Sequence, residues 1–337
     1  MNFVCVNNKT GALEGFCLIK TLERKLTAKG LPYLDLTLVD AGGEIDAKFW
    51  DFKEELHGEF AQNQLVKVRG TVSVYNGADQ MRVERMRQAT EKDEVQMEDF
   101  VPSAPLPSPE MLAEIRGAVA AFRDEELRRL VTALLDDCED RLLYWPAAFR
   151  LHHAIRGGLL YHTLSVLRLA QAAAKLYPFA DADLLFSGVI LHDIEKLSEF
   201  EVPATGLAAG YTAYGNLVGH LAAGAMLLER KGRELGISSE TLMLLEHMLL
   251  SHHGEPEFGC AVRPLFLEAE LLSALDTLDA KVYEIQAALE GVQVGEFSSR
   301  HWALDNRKFY RHGRVPEESG GRQGLKEPGE TGEEDGD

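Results

Sequence analysis

Histidine is concentrated in one part of this chain. Of the 11 histidines, eight lie between residues 152 and 253, and the pair His192-Asp193 ends an apolar run, Leu184 to Leu191. An unpaired carboxylate costs several kcal/mol in a protein interior, whereas a bound cation offsets its charge. Imidazole and carboxylate ligands without thiolates suit Mn, Fe, Co, Ni or Zn better than Ca or Mg. These residues therefore predict a transition-metal centre.

Helices must position this centre, because apolar residues recur at intervals of three and four from residue 111 to about residue 290. Asp276 and Asp279 lie three residues apart and so on one helix face. His247 and His252 are five residues apart, about 140° around a continuous helix, so they do not share a face. We therefore predict an all-α domain over residues 111–298 and a structural role for His247.

Strands precede the helices. Between residues 10 and 90, short runs alternate apolar and polar residues, and Leu34, Leu36 and Leu38 share one strand face. Asn76-Gly77 is the strongest short signal for a hairpin turn. Five or so strands within about ninety residues predict an all-β barrel of the OB kind. Residues 1–98 are assigned to this domain, so the fold class is multidomain.

Composition marks three further segments. Residues 99–110 hold four of the 12 prolines and predict a stiff, extended linker. Residues 299–315 form a basic and aromatic C-terminal arm that fits a strand-guiding segment or one that docks on the acidic body of this chain or a neighbour; we favour docking. Residues 316–337 are rich in Gly and Glu and predict a disordered acidic tail.

The formal net charge of −19 excludes a protein that coats DNA through bulk electrostatics, so nucleic-acid binding must be local. The four cysteines show no C-x-x-C pairing and are interpreted as reduced, buried thiols. No window approaches the roughly 18 consecutive apolar residues of a membrane span, and the first residues lack a signal-peptide pattern. We therefore expect a cytoplasmic protein that does not bind membranes.

Four motifs follow one another in the helical region: HHAIRGGLLYHT at 152–163, HDIEKL at 192–197, LSHHGE at 250–255 and DTLDAK at 276–281. Together with the barrel, they resemble the YhaM-type 3′-to-5′ exoribonucleases, which join an OB fold to an HD-domain metal-dependent phosphohydrolase. The resemblance covers roughly residues 10 to 312. One departure is Glu195, which stands where the family favours a small residue and could repel a substrate phosphate.

The resemblance implies a centre of two divalent ions, with Mn expected first and Fe, Co, Ni or Zn as alternatives. A single ion is the simpler arrangement. Asp279 competes with Asp276 for the last ligand position, and we favour Asp276. The implied ligands of the first ion are His162, His192, Asp193 and Asp276, and Asp193 bridges to a second ion held by His220 and by His252 or His253.

Three further residues are candidates for substrate contact. Lys196 lies four residues after His192, on the same helical face, so its ammonium can reach a non-bridging phosphate oxygen; a solvated lysine at a helix end fits the spacing equally well. His153 and Arg156, just before two glycines, are placed to touch a substrate phosphate. With Asp193, Lys196 forms the predicted catalytic pair.

The barrel would decide between substrates. By strand parity, its outward residues form a path for single strands, in which bases stack on aromatic rings and phosphates meet cations. The alternative is that the aromatic residues cover the barrel against the helical domain. The residues of this path are Lys48, Trp50, Lys67, Arg69 and Tyr75.

The sequence thus predicts a metal-dependent 3′-to-5′ exoribonuclease that uses a metal-activated water to hydrolyse phosphodiester bonds of single-stranded RNA, with single-stranded DNA as a further substrate. A homo-oligomer is expected. One alternative is an HD phosphohydrolase that acts on nucleotides or cyclic dinucleotides. The other is a catalytically impaired OB-fold RNA-binding protein, for which Glu195 is the only positive indication.

Overall fold

The computed structural model describes residues 11–40, 43–75, 77–149 and 153–314. The predicted tail at 316–337 and Asn76 of the predicted hairpin turn lie outside these residues. Among the described residues, none of the helices combines the length and the hydropathy needed to cross a bilayer.

Five strands close into a barrel in the order β1-β2-β3-β5-β4. Neighbouring strands are antiparallel except β3 and β5, which are parallel, and a short helix connects β3 to β4. This is the OB arrangement, as predicted. The elements are β1 (Gly11–Leu26), β2 (Pro32–Asp40), β3 (Gly43–Phe49), α1 (Glu54–His57), β4 (Leu65–Tyr75) and β5 (Ala78–Gln88).

Strand alternation fills the barrel. Leu34, Leu36 and Leu38 of β2 are all buried and contact the inward residues of the other strands, whereas the residues between them are partly exposed. Ala47 and Phe49 of β3 are buried in the same core. The predicted shared face of Leu34, Leu36 and Leu38 is therefore confirmed.

Nine α-helices, a short 3-10 helix (Pro256–Phe258) and one small hairpin make up the regular elements in the described part of the second domain. The hairpin of β6 and β7 is the exception to its predicted all-α character. Its elements are α2 (Ser108–Ala120), α3 (Glu125–Leu142), α4 (Gly158–Leu176), α5 (Ala182–Leu191), α6 (Lys196–Glu199), β6 (Phe200–Glu201), β7 (Gly210–Tyr211), α7 (Ala213–Leu217), α8 (Gly219–Leu235), α9 (Ser239–Ser251) and α10 (Leu267–Leu289).

The proline-rich segment is held against both domains. Phe100 and Val101 are buried in a small apolar cluster with Leu18 of β1, and Leu207 from the β6–β7 connection packs on it. The backbone of Ser103 pairs with that of Arg156. These apolar side chains have surface to bury, so the segment lies on the protein instead of crossing solvent. Helix α2 already begins at Ser108.

Helix α5 is the centre of the helical core, since seven of its ten residues are buried. It crosses α9 closely: a Cβ added at Gly188 would overlap the side chain of Met248. This crossing brings the end of α5 beside the end of α9. His192 and Asp193 are thereby delivered into the interior next to His252.

The chain passes very close to the start of α4 at Gly158, where a Cβ would overlap the backbone oxygen of His153. We expect Gly158→Ala to destabilise the protein by about 1–3 kcal/mol, the usual scale for overpacking. Gly117→Ala is the matched control, since Gly117 is exposed within α2 with nothing within 4 Å. Alanine should stabilise that helix by up to about 1 kcal/mol. Thermal unfolding measures both, and equal effects would contradict this packing.

Candidate metal centre

Four side chains from three helical segments converge at the end of α5. His162 comes from α4, His192 and Asp193 follow α5, and Asp276 comes from α10. His162 Nε2 lies 3.1 Å from Asp276 Oδ1 and 3.2 Å from His192 Nε2. His192 Nε2 lies 3.3 Å from Asp193 Oδ2. For ion–ligand distances of about 2.1 Å, neighbouring ligand atoms are about 3.0–3.4 Å apart, so these spacings suit one ion.

The other oxygen of Asp193 faces a second set of histidines. Asp193 Oδ1 lies 3.4 Å from His220 Nε2 and 3.7 Å from His252 Nε2. The His253 ring is 5.2 Å from the His220 ring and 4.4 Å from the His252 ring. His220, His252 and His253 can bring ligand nitrogens within reach of one another. Asp193 therefore stands between two groups of donors, one at each oxygen.

Three buried polar atoms of this cluster have no hydrogen-bond partner: Asp193 Oδ1, His220 Nε2 and His252 Nε2. Buried polar atoms are almost always satisfied, so three orphans that face one another need an explanation. A divalent cation would accept electron pairs from all three. The donor set, imidazole nitrogen and carboxylate oxygen, also suits such an ion. The residues present therefore fit a metal.

All five histidines of the cluster are fixed through Nδ1, which turns their Nε2 atoms toward the centre. Nδ1–H of each ring donates to an oxygen, the arrangement that orients histidines that bind metals. The acceptors are Asp279 for His162 at 2.8 Å, Val189 O for His192 at 2.8 Å, Glu199 Oε2 for His220 at 3.0 Å, Leu249 O for His252 at 2.9 Å and Phe258 O for His253 at 2.9 Å.

The structure separates the two candidate aspartates of α10. Asp276 lies among the donor atoms, whereas Asp279 lies behind His162. Asp279 accepts from His162 Nδ1, from His153 Nε2 at 2.9 Å and from the Ser165 hydroxyl. Asp279 is thus engaged in orienting rings. Of the two acids, only Asp276 has an oxygen near the Nε2 atoms of His162 and His192.

The charges of the site favour a bound cation. Burial opposes protonation of His162, but the hydrogen bonds that its ring donates to Asp276 and Asp279 outweigh it and raise its pKa to about 10. Burial lowers the pKa of His252 to about 3. The pKa of Asp193 is held well below its usual range, although burial alone would raise it, because Lys196 and His192 stabilise the carboxylate. Asp276 and Asp279 thus favour the protonated form of His162, and a metal ion that bound this ring would take the place of the proton.

Lys196 reaches the centre by a different route from the predicted one. The expected continuous helix face shared with His192 is wrong, because α5 ends at Leu191 and α6 begins at Lys196. The chain turns between them, and Lys196 Nζ lies 2.7 Å from Asp193 Oδ2. Trp145 Nε1 donates to the Lys196 carbonyl at 2.8 Å. Lys196 is 8% exposed, so it is not a solvated lysine at a helix end.

The other candidates at this end of the domain make contacts within the protein. His153 is 1% exposed and packs against the Tyr283 ring at 4.0 Å. Arg156 Nε donates to Glu98 at 2.6 Å, and its Nη1 donates to the Ala204 carbonyl at 2.8 Å.

Two further residues discussed from the sequence, His247 and Glu195, lie outside the donor cluster. His247 accepts a hydrogen bond from the Leu265 amide at 3.0 Å, away from the cluster, in the structural role predicted for it. Glu195 is partly buried and, among the described residues, its side chain makes no hydrogen bond or ion pair with a donor of the cluster.

Sequence reasoning missed Glu199 and Ser165 and saw Asp279 only as a ligand. These side chains act through the histidines: Glu199 holds His220, and Ser165 holds Asp279, which in turn holds His162. No spacing rule marks them, since each contact joins different helices. The acceptor that each Nδ1 finds is a property of helix packing.

On the barrel, Trp50 is stacked on Tyr33 at 4.5 Å and is 38% exposed, and Tyr75 is 62% exposed. Both rings are exposed to solvent. The alternative, in which these aromatic residues pack between the barrel and the helical domain, is therefore not what the structure shows. The predicted cations are paired with acids: Lys48 with Asp35, Lys67 with Glu14 at 3.1 Å and Arg69 with Glu84 at 3.8 Å. Sequence reasoning missed Tyr33, and it missed Arg85 and Arg87, which line a groove of about 660 Å³ with Lys67 and Arg69.

A helical domain with a histidine and aspartate cluster of this kind defines the class of HD-domain proteins, and the family model of the HD domain matches residues 159–281. The chain is 38% identical to the 3′-5′ exoribonuclease YhaM of Bacillus subtilis strain 168 over 299 residues, 89% of this chain and 94% of that protein. It is 39% identical to the YhaM of Geobacillus sp. strain WCH70, over 89% of this chain and 91% of that protein. The chain belongs to the YhaM 3′-5′ exoribonuclease family.

Among solved structures, the chain is similar to the HD domain of the phosphodiesterase PgpH of L. monocytogenes, with a TM-score of 0.27 and 19% identity over 48% of this chain and 74% of that one.

The carboxylates behind His162 and His220 should set metal affinity, because they keep each ring in place and raise its basicity. We expect Asp279→Asn and Glu199→Gln each to weaken Mn²⁺ binding about 10- to 100-fold. Isothermal titration of chelator-treated protein measures this. Asp140→Asn, at an exposed position of α3, is the control and should leave affinity unchanged. Native affinity in both site variants would show that the ring contacts are irrelevant to the metal.

Proposed function

We propose that this protein is a metal-dependent 3′-to-5′ exoribonuclease that hydrolyses single-stranded RNA and also accepts single-stranded DNA. The observation that carries the proposal is the donor cluster around Asp193, with three orphaned buried atoms facing one another. Membership of the YhaM family supports the same activity. A cytoplasmic location and a homo-oligomeric state are parts of the proposal that derive from the sequence alone.

The centre is proposed to hold two divalent ions, with Mn²⁺ as the first candidate. His162, His192 and Asp276 would hold one ion, His220, His252 and His253 the other, and Asp193 would bridge them. When bound, such ions supply Lewis-acid activation of water and of the phosphate. The two oxygens of Asp193, which face separate donor groups, support this division.

The protein's own side chains orient the metal ligands and balance their charge. Asp193 is fixed by Lys196, whose ammonium lies 2.7 Å from Oδ2. Since that ammonium lies at the edge of the donor cluster, we assign it stabilisation of the negative charge that develops on the phosphate. The Nδ1 acceptors keep five rings from turning, so the donor atoms need no rearrangement when substrate arrives. His153 and Arg156 are also proposed to contact a phosphate. For this, each side chain would have to leave its present partners, which are the Tyr283 ring for His153 and Glu98 for Arg156.

The barrel is proposed to bind the strand. Tyr33 and Trp50 provide a stacked, partly exposed aromatic pair, and Lys48 lies 6.0 Å from the Tyr33 ring. Stacking of a base on such a ring contributes about 1–3 kcal/mol without regard to sequence. Lys67 and Arg69 are each paired with an acid, so each would have to exchange that carboxylate for a phosphate when it binds the strand. This surface favours a polynucleotide over a free nucleotide as substrate.

Asp193→Ala tests the centre directly, since the two oxygens of this carboxylate face the two donor groups. We expect loss of bound metal and a fall in RNA decay of at least about 10³-fold. Lys196→Ala should keep the metal and slow decay about 10²- to 10³-fold. The measurements are elemental analysis after Mn²⁺ loading and the ladder formed from 5′-labelled RNA. If Asp193→Ala retained metal and near-native decay, the proposed mechanism would be wrong.

Trp50→Ala tests the barrel. We expect the KM for a long single-stranded RNA to rise about 5- to 100-fold, with unchanged turnover of bis-p-nitrophenyl phosphate, which is too small to reach the barrel. Leu176→Ala, at an exposed apolar position at the end of α4, is the control. An equal loss on both substrates would mean that Trp50 supports the fold. A nucleotide panel assayed in parallel would identify the alternative phosphohydrolase.

A further inference from the structure

The chain folds back after α10 into a short hairpin, residues 294–314, which takes no part in the metal centre. Its two arms meet at the bridges between Phe297 and Tyr310 and between His301 and Arg307. We refer to these residues as the C-terminal hairpin. It contains the predicted basic and aromatic arm apart from Val315, which lies outside the described residues.

Buried residues and hydrogen bonds fix the C-terminal hairpin in place. Leu304 and Ser298 are buried, and the Ser298 amide donates to the Phe309 carbonyl at 2.8 Å. Arg311 Nη1 donates to the Val292 carbonyl at 2.6 Å, just beyond the end of α10. His301 Nε2 lies 3.5 Å from Glu284 Oε2 on α10 itself. These contacts hold the hairpin on the helix that carries Asp276.

Three aromatic rings of the hairpin face solvent. Phe297 is 63% exposed, Tyr310 is 49% exposed, and their rings lie 5.1 Å apart. Trp302 is 71% exposed. Large exposed rings indicate a binding surface, because in the part of the chain that the structure describes much of their apolar area stays uncovered. The predicted docking of this arm was on this chain or on a neighbour, and docking on this chain does not account for the exposed rings.

The charge of the hairpin is opposite to that of the molecule. Residues 294–314 carry five Lys and Arg side chains and two acids, a local charge of +3 in a chain of −19. Arg300, Lys308 and Arg314 have no ion pair with any described acid. Cations on the barrel differ, since Lys48, Lys67 and Arg69 are each paired with a carboxylate. The hairpin thus offers cations that a polyanion can engage without displacing any acid of the described residues.

The hairpin also lies within reach of the metal centre. Glu284, which contacts His301, is eight residues beyond Asp276 on α10. At 1.5 Å per residue, the two positions are about 12 Å apart along the helix axis. A strand whose end lies at the metal centre could therefore continue onto the hairpin.

We propose that the C-terminal hairpin is a binding surface for single-stranded RNA, with bases stacked on Phe297, Trp302 and Tyr310 and phosphates held by Arg300, Lys308 and Arg314. The inference rests on the proposed function and adds a second contact surface to it. Exposed rings interleaved with unpaired cations are the combination by which proteins bind single strands without sequence preference. An acidic protein surface would engage the cations but not the faces of three rings.

Two pairs of substitutions test the proposal in the full chain. Trp302→Ala with Tyr310→Ala should weaken binding of a fluorescent 20-nucleotide oligouridine at least about 5-fold, measured by anisotropy in EDTA so that hydrolysis does not interfere. Arg300→Gln with Lys308→Gln should lower the slope of log K against log salt by about 1.4, since each phosphate contact on a single strand contributes about 0.7. Turnover of bis-p-nitrophenyl phosphate with Mn²⁺ should stay at the wild-type rate in both.

Matched controls are Tyr177→Ala with Phe179→Ala, exposed rings after α4, and Lys175→Gln with Arg230→Gln, exposed cations on α4 and α8. Oligouridine affinity and salt slope equal to those of the controls would overturn the proposal. So would dissociation of an oligomer in the hairpin variants, seen by light scattering, because the surface would then join chains. Wild-type protein that neither binds nor degrades RNA would overturn the proposed function as well. The cation pair changes only exposed side chains, so it keeps the test valid if the aromatic pair unfolds.

Discussion

The buried carboxylate of Asp193 is the constraint on which the helical domain depends. It is 3% exposed, and its two oxygens face two groups of imidazole nitrogens. A charge in this position is tolerated only with compensation, which Lys196 supplies from one side and a cation would supply from the other. The apolar helix α5, which ends at this point, determines how deep the carboxylate lies.

Rigidity of the site comes from the ends of helices. His192 and His252 each follow the last residue of a helix and donate through Nδ1 to the carbonyl three residues earlier, Val189 or Leu249. Carbonyls in the last turn of a helix lack partners within the helix, so each ring satisfies one of them while its own orientation is fixed. A single arrangement thus caps the helix and aims the ligand.

The distribution of charge determines which surfaces can bind a polyanion. The chain is strongly acidic, and the basic side chains of the barrel are largely neutralised by neighbouring carboxylates. In a protein of this kind, the long-range field repels a polyanion, and binding relies on short-range contacts with rings and unpaired cations. The stacked pair of Tyr33 and Trp50 and the exposed rings beyond α10 are surfaces of that type.

The sequence by itself determined the order and kind of the elements and the residue types of the site. Alternation along β2 predicted its buried face, and the run from Leu184 to Leu191 predicted a buried helix that ends in His192 and Asp193, because both patterns depend only on local periodicity. Tertiary structure decided what periodicity cannot express. Asp276 and Asp279 share one helix face, and only packing against α4 shows that the first lies before His162 and the second behind it. Glu199 became part of the site because α6 and α8 meet, and Lys196 took its place because the chain turns after α5. Exposure of the rings and pairing of the cations likewise depend on neighbours distant in sequence, so they exist only once the chain has folded.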